Sequence, residues 1–194
     1  NTLDKKSLAN IIKILGDEKE AKKIANNIVR HRAKTPIKNS HELSKIISSA
    51  KKNKNYKKNP ATKTFQAIRI FVNQELTELV LALISATKLL SKGGILLVVT
   101  FHSIEDKIVK YFFSLYSNLR KKPSRYLPIA ENKNNMFSHV SKKPIQPSKE
   151  EVDHNLRSRS AKLRYAVRND NLFFDPHEFV KKFENYTKME SARI

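Results

Sequence analysis

The residues best suited to chemistry follow a short apolar run, Ile95–Val99. The ring of Phe101 could stack on a flipped base, and His102 could hydrogen-bond a base or a phosphate. We therefore take His102 and Ser103 as candidate catalytic residues at the rim of a pocket, and Phe101 as a candidate substrate-binding residue. Structural roles remain open, because Ser103 and Asp106 have the form of a helix capping box and His102 could fill a hydrogen-bonding role in the turn.

A second group of candidate residues lies in Asn155–Ser160, which reads NLRSRS. Its Arg157 and Arg159 alternate with serines and offer donors suited to phosphate oxygens, so we predict that they bind substrate. The alternative is that they are arginines on a solvated strand edge. A third pair, Arg69 and Asn73, lies one helical turn apart; it could bind substrate too, or could anchor neighbouring loops.

The sequence on either side of residues 100–103 predicts a strand followed by a helix, which is typical of an α/β fold. The Ile95–Val99 run follows Gly93-Gly94, is too short for a self-standing helix, and is typical of a strand buried on both faces in a parallel sheet. Helical periodicity begins after Ser103. Because α/β sheets bind ligands beyond the carboxyl ends of their strands, we expect residues 100–103 to lie at the rim of a site.

Residues 1–50 predict a small bundle of three amphipathic helices. Asp4 and Asn39 are placed to cap the first and third helices, and Gly16 is placed to end the first. Asp17–Glu20 resembles a capping box for the second helix. A loop over residues 51–59 follows, which is either a solvated connection or an RNA contact.

Periodicity in the later residues predicts a long helix over 64–90, a strand over 160–168 and a helix over about 175–189. Between the first helix and that strand, residues 120–150 are predicted to be irregular, with a short strand near 137–145. In residues 160–168 apolar and basic side chains alternate, which predicts a strand with one solvent-exposed face that carries Lys162, Arg164 and Arg168.

The composition favours a nucleic-acid partner. The 194 residues carry a formal net charge of +21, which indicates a polyanion, although a biased genome could also account for the lysines. Cysteine is absent from the sequence, which excludes disulfides, thiolate catalysis and zinc–sulfur sites. No apolar run approaches the roughly 20 residues of a membrane span. The histidines lack metal-ligand spacing, so neither a membrane segment nor a metal site is predicted.

Glycine is scarce, and this limits the cofactor chemistry. The glycines are Gly16, Gly93 and Gly94, so a GxGxxG loop for a nucleotide or S-adenosylmethionine is impossible within these residues. Walker, HExxH and nucleophile-elbow motifs are absent as well. The sequence starts at Asn1 rather than at a methionine, at the edge of a helix, and we therefore expect a fragment.

Several stretches together resemble the RsmH (MraW) family of bacterial methyltransferases. They are PATKTFQAIRIFVNQEL (Pro60–Leu76), KGGILLVVTFHSIEDKIVKYFF (Lys92–Phe113), KKPIQPSKEEV (Lys142–Val152) and RSRSAKLRYA (Arg157–Ala166), with a similar helical segment over residues 8–32. The resemblance follows the family's order as far as about Asn171. That family places a methyl group on the exocyclic N4 of a cytosine in 16S ribosomal RNA.

The resemblance implies part of a Rossmann-like class I methyltransferase domain plus a helical insertion that helps to recognise RNA. On this mapping residues 1–59 are most of the insertion, and residues 60–194 are the carboxy-terminal half of the catalytic domain. The implied cofactor is S-adenosyl-L-methionine, bound by the family's amino-terminal half, so no cofactor-binding residue is assigned here. The implied partner is the 16S ribosomal RNA of the small ribosomal subunit, in the cytoplasm and away from any membrane.

The same resemblance implies residue roles only where positions match. Phe101, His102 and Ser103 would shape the base pocket, and the basic segments would hold the RNA backbone. The sequence departs from the family at Asn155-Leu156, where the family has Asn-Pro before RSRS, and the rigid entry into the strand is lost. The alternative function is a non-catalytic basic protein that binds RNA or the ribosome.

Overall fold

A computed structural model describes residues 1–51, 59–117 and 134–191. Its elements are, in order, α1 (Lys5–Gly16), α2 (Ala21–Arg32), α3 (Ser40–Ala50), α4 (Thr62–Asn73), α5 (Glu75–Leu89), β1 (Ile95–Thr100), α6 (Ser103–Leu115), β2 (Phe137–Val140), α7 (Lys149–His154), a short 3-10 helix (Leu156–Ser160), β3 (Lys162–Arg168) and α8 (His177–Ser191). Most of the predicted loop over 51–59, and much of the predicted excursion over 120–150, lie outside the described residues.

The chain divides into two compact units. The helical unit comprises residues 1–76 and 185–194, and the sheet unit comprises residues 77–184. Helices combined with a small sheet agree with the predicted α/β class. Within the described ranges, the helices are all too short or too polar to cross a membrane.

The helical unit is built on a bundle of α1, α2 and α3, and this part of the prediction is confirmed. Asp4 caps α1 by accepting a hydrogen bond from the backbone N–H of Lys6 at 2.7 Å, and Asn39 caps α3 by accepting one from Glu42 at 2.9 Å. The apolar stripes of the helices meet in one core, whose fully buried members include Ile12, Ile24, Ala25 and Ile47. Burial of such side chains, at about 1.5–3 kcal/mol each, stabilises the bundle.

The predicted capping box over Asp17–Glu20 is wrong. The Glu20 side chain makes no capping hydrogen bond; instead the Glu18 carboxylate accepts the Glu20 N–H at 3.1 Å and pairs with the Lys51 ammonium at 2.6 Å. Both charged side chains are only 6% exposed. The pair joins the start of α2 to the end of α3, a contact between distant residues that a local pattern does not reveal.

Gly16 ends α1 for a different reason from the predicted one. The left-handed residue after the helix is Asp17, with φ 47°, rather than the glycine. A Cβ on Gly16 would lie 2.5 Å from the carbonyl oxygen of Lys63 on α4. The glycine is therefore required by the close approach of α4 to α1.

The predicted single helix over residues 64–90 is wrong, because it is divided into α4 and α5 at Gln74. Gln74 adopts the left-handed conformation with φ 54°, which interrupts the hydrogen-bond ladder. The N–H of Leu76, which the break leaves without a helical partner, donates to the buried Glu190 carboxylate at 3.1 Å. A partner from the far end of the chain thus stabilises a break that the local periodicity does not show.

The sheet unit contains an antiparallel sheet in the order β1-β3-β2. The strand predicted at Ile95–Val99 is confirmed as β1, but its expected burial on both faces in a parallel sheet is wrong for the described residues. Ile95, Leu97 and Val99 are 58%, 62% and 54% exposed. Among the described elements, α6 packs on β1, β3 and β2 and covers the opposite face, which explains the alternating burial.

The strand predicted over residues 160–168 is confirmed as β3, but its faces are reversed. Arg164, Ala166 and Arg168 are buried, whereas the residues that alternate with them are only partly buried. The reversal arises because specific partners accept hydrogen bonds from both arginines. The predicted strand near 137–145 is present as the shorter β2, and the predicted final helix is confirmed as α8.

Candidate functional site

The segment that leaves β1 is held by a capping box. The Glu105 carboxylate accepts hydrogen bonds from the backbone N–H of Phe101 at 2.8 Å and of His102 at 3.2 Å. In return, His102 Nδ1 accepts the N–H of Glu105 at 3.4 Å. The box thus joins His102 to Glu105, and the prediction that it joins Ser103 to Asp106 is wrong by one residue. Ser103 is instead the exposed first residue of α6.

His102 caps α6, so the hydrogen-bonding role foreseen for it in the turn is confirmed, while its catalytic role stays a prediction. Its side chain is 7% exposed, and Nε2 lies 3.2 Å from Oε1 of Glu105 without the alignment of a hydrogen bond. Because Nδ1 accepts, the ring proton is placed on Nε2. The ring therefore keeps one polar atom that the described residues do not satisfy.

The electrostatics of this segment depend on Glu105. Burial alone would raise the pKa of Glu105, but the contact with His102 and the N–H of Phe101 outweigh burial, and the pKa lies below its usual range. Near neutral pH, Glu105 is therefore ionised, and its carboxylate accepts hydrogen bonds from the backbone N–H groups of Phe101 and His102. By contrast, Phe101 is 54% exposed, and its role in stacking on a base stays a prediction.

Asp106 has a role that sequence reasoning missed. Its Oδ1 accepts from Arg164 Nε at 2.7 Å and its Oδ2 from Lys162 Nζ at 3.1 Å, so it joins α6 to β3. Burial would raise the pKa of Asp106, but these two cations lower it below its usual range. The only available signal was an acidic residue early in one helix and basic residues at alternate positions of a later strand.

Arg157 and Arg159 lie in the 3-10 helix that leads into β3, and both are exposed. The Asn155 side chain accepts the N–H of Arg157 at 3.1 Å, and the hydroxyl of the buried Ser158 donates to the Asn155 carbonyl at 2.8 Å. These bonds hold the turn from within, so the two guanidinium groups lie on its outer side. Arg157 and Arg159 thus lie in a 3-10 helix, so the alternative that placed them on a solvated strand edge is wrong.

The register of the sheet brings two of the predicted groups to one place. Thr100, the last residue of β1, pairs with Lys162, the first residue of β3. Phe101–Ser103 therefore leave the sheet at the same end at which the 3-10 helix with Arg157 and Arg159 enters it. We call this the β1 exit site, formed by an exposed ring, a histidine with an unsatisfied nitrogen and two exposed arginines.

Arg69 and Asn73 lie in the helical unit, on α4. Arg69 donates to both oxygens of Glu75, from Nε at 2.7 Å and from the second nitrogen at 2.8 Å, and Asn73 donates to Oε1 at 3.2 Å. The two residues thus hold the carboxylate that begins α5, which favours the anchoring alternative. The Arg69 side chain remains 55% exposed, and its predicted substrate contact stays a prediction.

A cavity of about 470 Å³ lies in the helical unit. Its walls include Ile11, Ile28, Phe65 and Phe71, with Arg32 among the few charged residues. None of the predicted site residues lines it, so its apolar volume is separate from the chemistry considered above.

Among the residues that the structure describes, the glycines are not placed like the loop of an S-adenosylmethionine site. The Gly93-Gly94 pair precedes β1, at the opposite end of the strand from the β1 exit site, and Gly93 adopts φ 80° in the turn that leads into the strand. Ligands of α/β sheets bind beyond the carboxyl ends instead. We therefore assign no cofactor-binding residue to this chain.

Comparison with known proteins decides the family. The family model described as the MraW methylase family matches residues 1–169. The chain belongs to this family. Among curated proteins, this member is similar to the ribosomal RNA small subunit methyltransferase H of Xanthobacter autotrophicus, with 47% identity over 87% of this chain and 49% of that protein. Proteins of the same name from Azorhizobium caulinodans and Caldicellulosiruptor saccharolyticus are 46% and 44% identical, over 48% and 54% of their lengths.

The chain thus spans about half the length of the curated relatives it matches. Within the matched half, the family resemblance includes the whole β1 exit site, since Phe101 and Arg159 both fall inside residues 1–169. The resemblance first noted in the sequence motifs is therefore confirmed at the level of the family.

Proposed function

We propose that this chain forms part of an enzyme that transfers a methyl group from S-adenosyl-L-methionine to the exocyclic N4 of a cytosine in 16S ribosomal RNA. Family membership and the names of the relatives support RNA methylation. The observation that carries the proposal to these residues is the β1 exit site, where Phe101 and His102 share one end of the sheet with Arg157 and Arg159. The partner is then the small ribosomal subunit in the cytoplasm.

The chain's residues act on the RNA side of this reaction. The exposed ring of Phe101 stacks on the target base, and the largely buried imidazole of His102 shapes the wall of the base pocket and positions the segment that carries Phe101. Arg157 and Arg159 bind the flanking phosphates, and the Ser103 hydroxyl lies at the rim. Holding a base in one orientation matters here because the lone pair of a cytosine amine is delocalised into the ring and reacts only when well placed. The methyl group itself is the cofactor's contribution.

The two parts of the chain have different tasks in this proposal. Residues 1–59 form most of a helical insertion that contacts RNA, and residues 60–194 form the second half of a Rossmann-like class I methyltransferase domain. Arg69 and Asn73, on α4, also contact RNA while they hold Glu75, since the Arg69 side chain is more than half exposed. The net charge of +21 supports an extended contact with a polyanion.

A chimera tests the proposal directly. The residues of this chain replace the matched half of the Xanthobacter autotrophicus relative, and the chimera is incubated with S-adenosylmethionine and unmethylated small ribosomal subunits. We expect N4-methylcytidine in digests of the 16S RNA by mass spectrometry. The matched control carries Phe101→Ala and should bind subunits but methylate at least tenfold more slowly. A folded chimera that methylates another position, or none, would contradict the proposal.

A second candidate is a non-catalytic protein that binds RNA through its basic surface. The charge of +21 favours it, because a basic surface attracts a polyanion whether or not the protein is catalytic. Binding of 16S RNA by this chain, together with a chimera that folds and binds the subunit yet transfers no methyl group, would favour this alternative.

A further inference from the structure

Two large apolar side chains lie in solvent in the loop between β3 and α8. Leu172 is 94% exposed and its neighbour Phe173 is 58% exposed. A single exposed apolar residue is ordinary, but adjacent ones form contiguous apolar surface of the kind that marks an interaction site. We call residues 170–175 the acidic loop, for the carboxylates described below. It follows residues 1–169, which the family model matches, so its role is inferred from its own residues.

The backbone of the acidic loop is fixed by hydrogen bonds on both sides of the exposed pair. Before the pair, Arg168 donates to the Asn171 carbonyl at 2.7 Å, and Asn171 Oδ1 accepts the N–H of Phe173 at 3.1 Å. After the pair, the Asn134 side chain accepts the Asp175 N–H at 3.0 Å and donates to the Asp175 carbonyl at 2.7 Å. The fold therefore presents the two side chains in a fixed place, and a partner that binds them loses little backbone entropy.

The exposed pair is not needed to anchor the loop, because the next residue does so. The ring of Phe174 is partly buried and lies 5.0 Å from the ring of Tyr116 and 6.4 Å from that of Phe112, between centroids. Both partners are fully buried side chains of the sheet unit. The core thus takes one of three consecutive apolar residues and leaves the other two in solvent.

The charge around the exposed pair is opposite to that of the whole chain. Residues 169–180 contain Asp170, Asp175 and Glu178 but no lysine or arginine, whereas the chain carries a net charge of +21. All three carboxylates belong to exposed residues, and Asp170 pairs with an equally exposed Lys92. Carboxylates repel phosphates, and Leu172 has neither a donor for a base edge nor a ring to stack. The chemistry therefore favours a basic protein surface with an apolar recess over RNA.

The small ribosomal subunit contains such surfaces, because proteins that pack against a polyanion are themselves basic. We propose that the acidic loop docks on a basic protein of the small ribosomal subunit. Leu172 and Phe173 enter an apolar recess, and Asp170 and Asp175 face cations at its rim. β3 runs from the β1 exit site at Lys162 to the acidic loop after Arg168, so RNA and protein are bound at opposite ends of one sheet. This inference rests on the partner given in the proposed function, but not on methyl transfer.

Binding to two forms of the partner tests the docking. The affinity of this chain is measured for intact small ribosomal subunits and for protein-free 16S RNA at the same salt concentration. Leu172→Ser with Phe173→Ser should weaken binding to subunits at least tenfold and leave binding to RNA unchanged. Leu81→Ser is the matched control, because Leu81 is 52% exposed but lies on α5. Because all of these side chains are exposed, equal thermal unfolding midpoints should show that every variant folds.

A charge variant gives a result of opposite sign for the two partners. Asp170→Asn with Asp175→Asn removes two negative charges, and the second substitution keeps a side-chain oxygen for the N–H of His177, which Asp175 accepts at 2.9 Å. Binding to subunits should weaken by about threefold at low salt and by less at high salt, because the carboxylates face cations of a protein. Binding to protein-free RNA should stay equal or become tighter. Tighter binding to both forms would overturn the proposal in favour of RNA.

The remaining outcomes separate this inference from the proposed function. Equal affinities of the Leu172 and Phe173 double variant and the Leu81 control for subunits would overturn the docking, and so would equal weakening on protein-free RNA. A dimer of this chain that the double variant disrupts, with unchanged affinity for subunits, would overturn it in favour of a second copy. A chimera that transfers no methyl group, yet binds subunits through Leu172 and Phe173, would contradict the proposed methylation and support the docking.

Discussion

Arg164 and Asp106 form a buried ion pair, with Nε 2.7 Å from Oδ1, that fastens α6 to β3. Their side chains are 4% and 13% exposed, so water screens the pair little. The strand that carries Arg164 also begins beside the β1 exit site, because Lys162 pairs with Thr100. The orientation of α6, and hence of its cap His102, depends on this pair.

Replacing Asp106 by Asn should destabilise the protein in a pH-dependent way. Breaking a buried ion pair from one side costs about 3 kcal/mol, which is the loss expected near neutral pH from urea unfolding. Because folding lowers the pKa of Asp106, the contribution is present above the unfolded-state pKa of roughly 4 and is lost as the pH falls through the lower folded-state pKa. The variant and the unchanged chain should therefore converge in acid.

The control for this prediction is Asp170→Asn. Asp170 pairs with Lys92, but both side chains are 73% exposed, and exposed pairs contribute little. An equal loss of stability in the two variants would contradict the role assigned to Asp106.

Two substitutions separate the capping role of His102 from its proposed role in the base pocket. His102→Ala removes the cap and should lower the free energy of unfolding by about 1 kcal/mol. His102→Asn restores a side-chain acceptor for the Glu105 N–H and should unfold like the unchanged chain. In the chimera, however, Asn should still reduce methyl transfer at least tenfold, because it lacks the imidazole ring that shapes the proposed base pocket. Full methylation by His102→Asn would assign the residue to the cap alone.

Arg157 and Arg159 should contribute to RNA affinity and little to stability, because both are exposed on the 3-10 helix. Replacing both by Ala should weaken binding of 16S RNA and reduce the slope of log affinity against log salt by about 1.4, at about 0.7 per phosphate contact. Filter binding at several salt concentrations measures this. Lys107→Ala with Lys110→Ala removes the same charge from the exposed side of α6 and serves as the control. Equal slopes for the two double variants would contradict a specific contact.

Arg168 should behave in the opposite way. Its guanidinium donates to the carbonyls of Thr87 at 3.2 Å, Met136 at 3.3 Å and Asn171 at 2.7 Å, and it is buried. Arg168→Lys leaves some of these carbonyls without a donor and should lower the free energy of unfolding by about 2–3 kcal/mol. Arg159→Lys is the matched control and should leave stability unchanged. RNA affinity of folded Arg168→Lys should equal that of the unchanged chain; a reduced salt slope would show that Arg168 contacts RNA.

Gly16 provides a packing test in the helical unit. Gly16→Ala places a Cβ 2.5 Å from the Lys63 carbonyl oxygen, and the shift of α4 that follows should cost about 1–3 kcal/mol. Gly93→Ala meets no atom within 4 Å but keeps φ 80°, so it should cost only the backbone strain of about 1 kcal/mol. Thermal unfolding of the two variants compares the cost of a steric clash at Gly16 with the cost of backbone strain at Gly93. A larger loss of stability in Gly93→Ala than in Gly16→Ala would contradict this account.

Local patterns predicted the elements that depend on local physics. The caps at Asp4 and Asn39, the strand β1 and the final helix all follow from short-range hydrogen bonding and periodicity. The family resemblance supplied the functional hypothesis, and the register of β1 with β3 then brought Phe101 and Arg159 to one end of the sheet.

Patterns failed where a distant partner decided the outcome. The alternating pattern of β3 predicted that the charged residues Arg164 and Arg168 face solvent. Both are buried instead, because Arg164 donates to Asp106 and Arg168 donates to main-chain carbonyls. Periodicity continued through Gln74 because the Glu190 carboxylate that stabilises the break is far along the chain. The burial of β1 was overestimated because an apolar run does not show how many neighbouring elements are present.

The bonds from Glu105 to the backbone of Phe101 and His102 have a consequence for recognition. A loop that must become ordered when RNA arrives loses conformational entropy at that moment, and its affinity falls accordingly. Here folding alone fixes the peptide planes beside the ring of Phe101, so the segment is preorganised. Under the proposed function, discrimination between nucleotides at this position would then rest on shape and hydrogen bonding, with little induced rearrangement of the main chain.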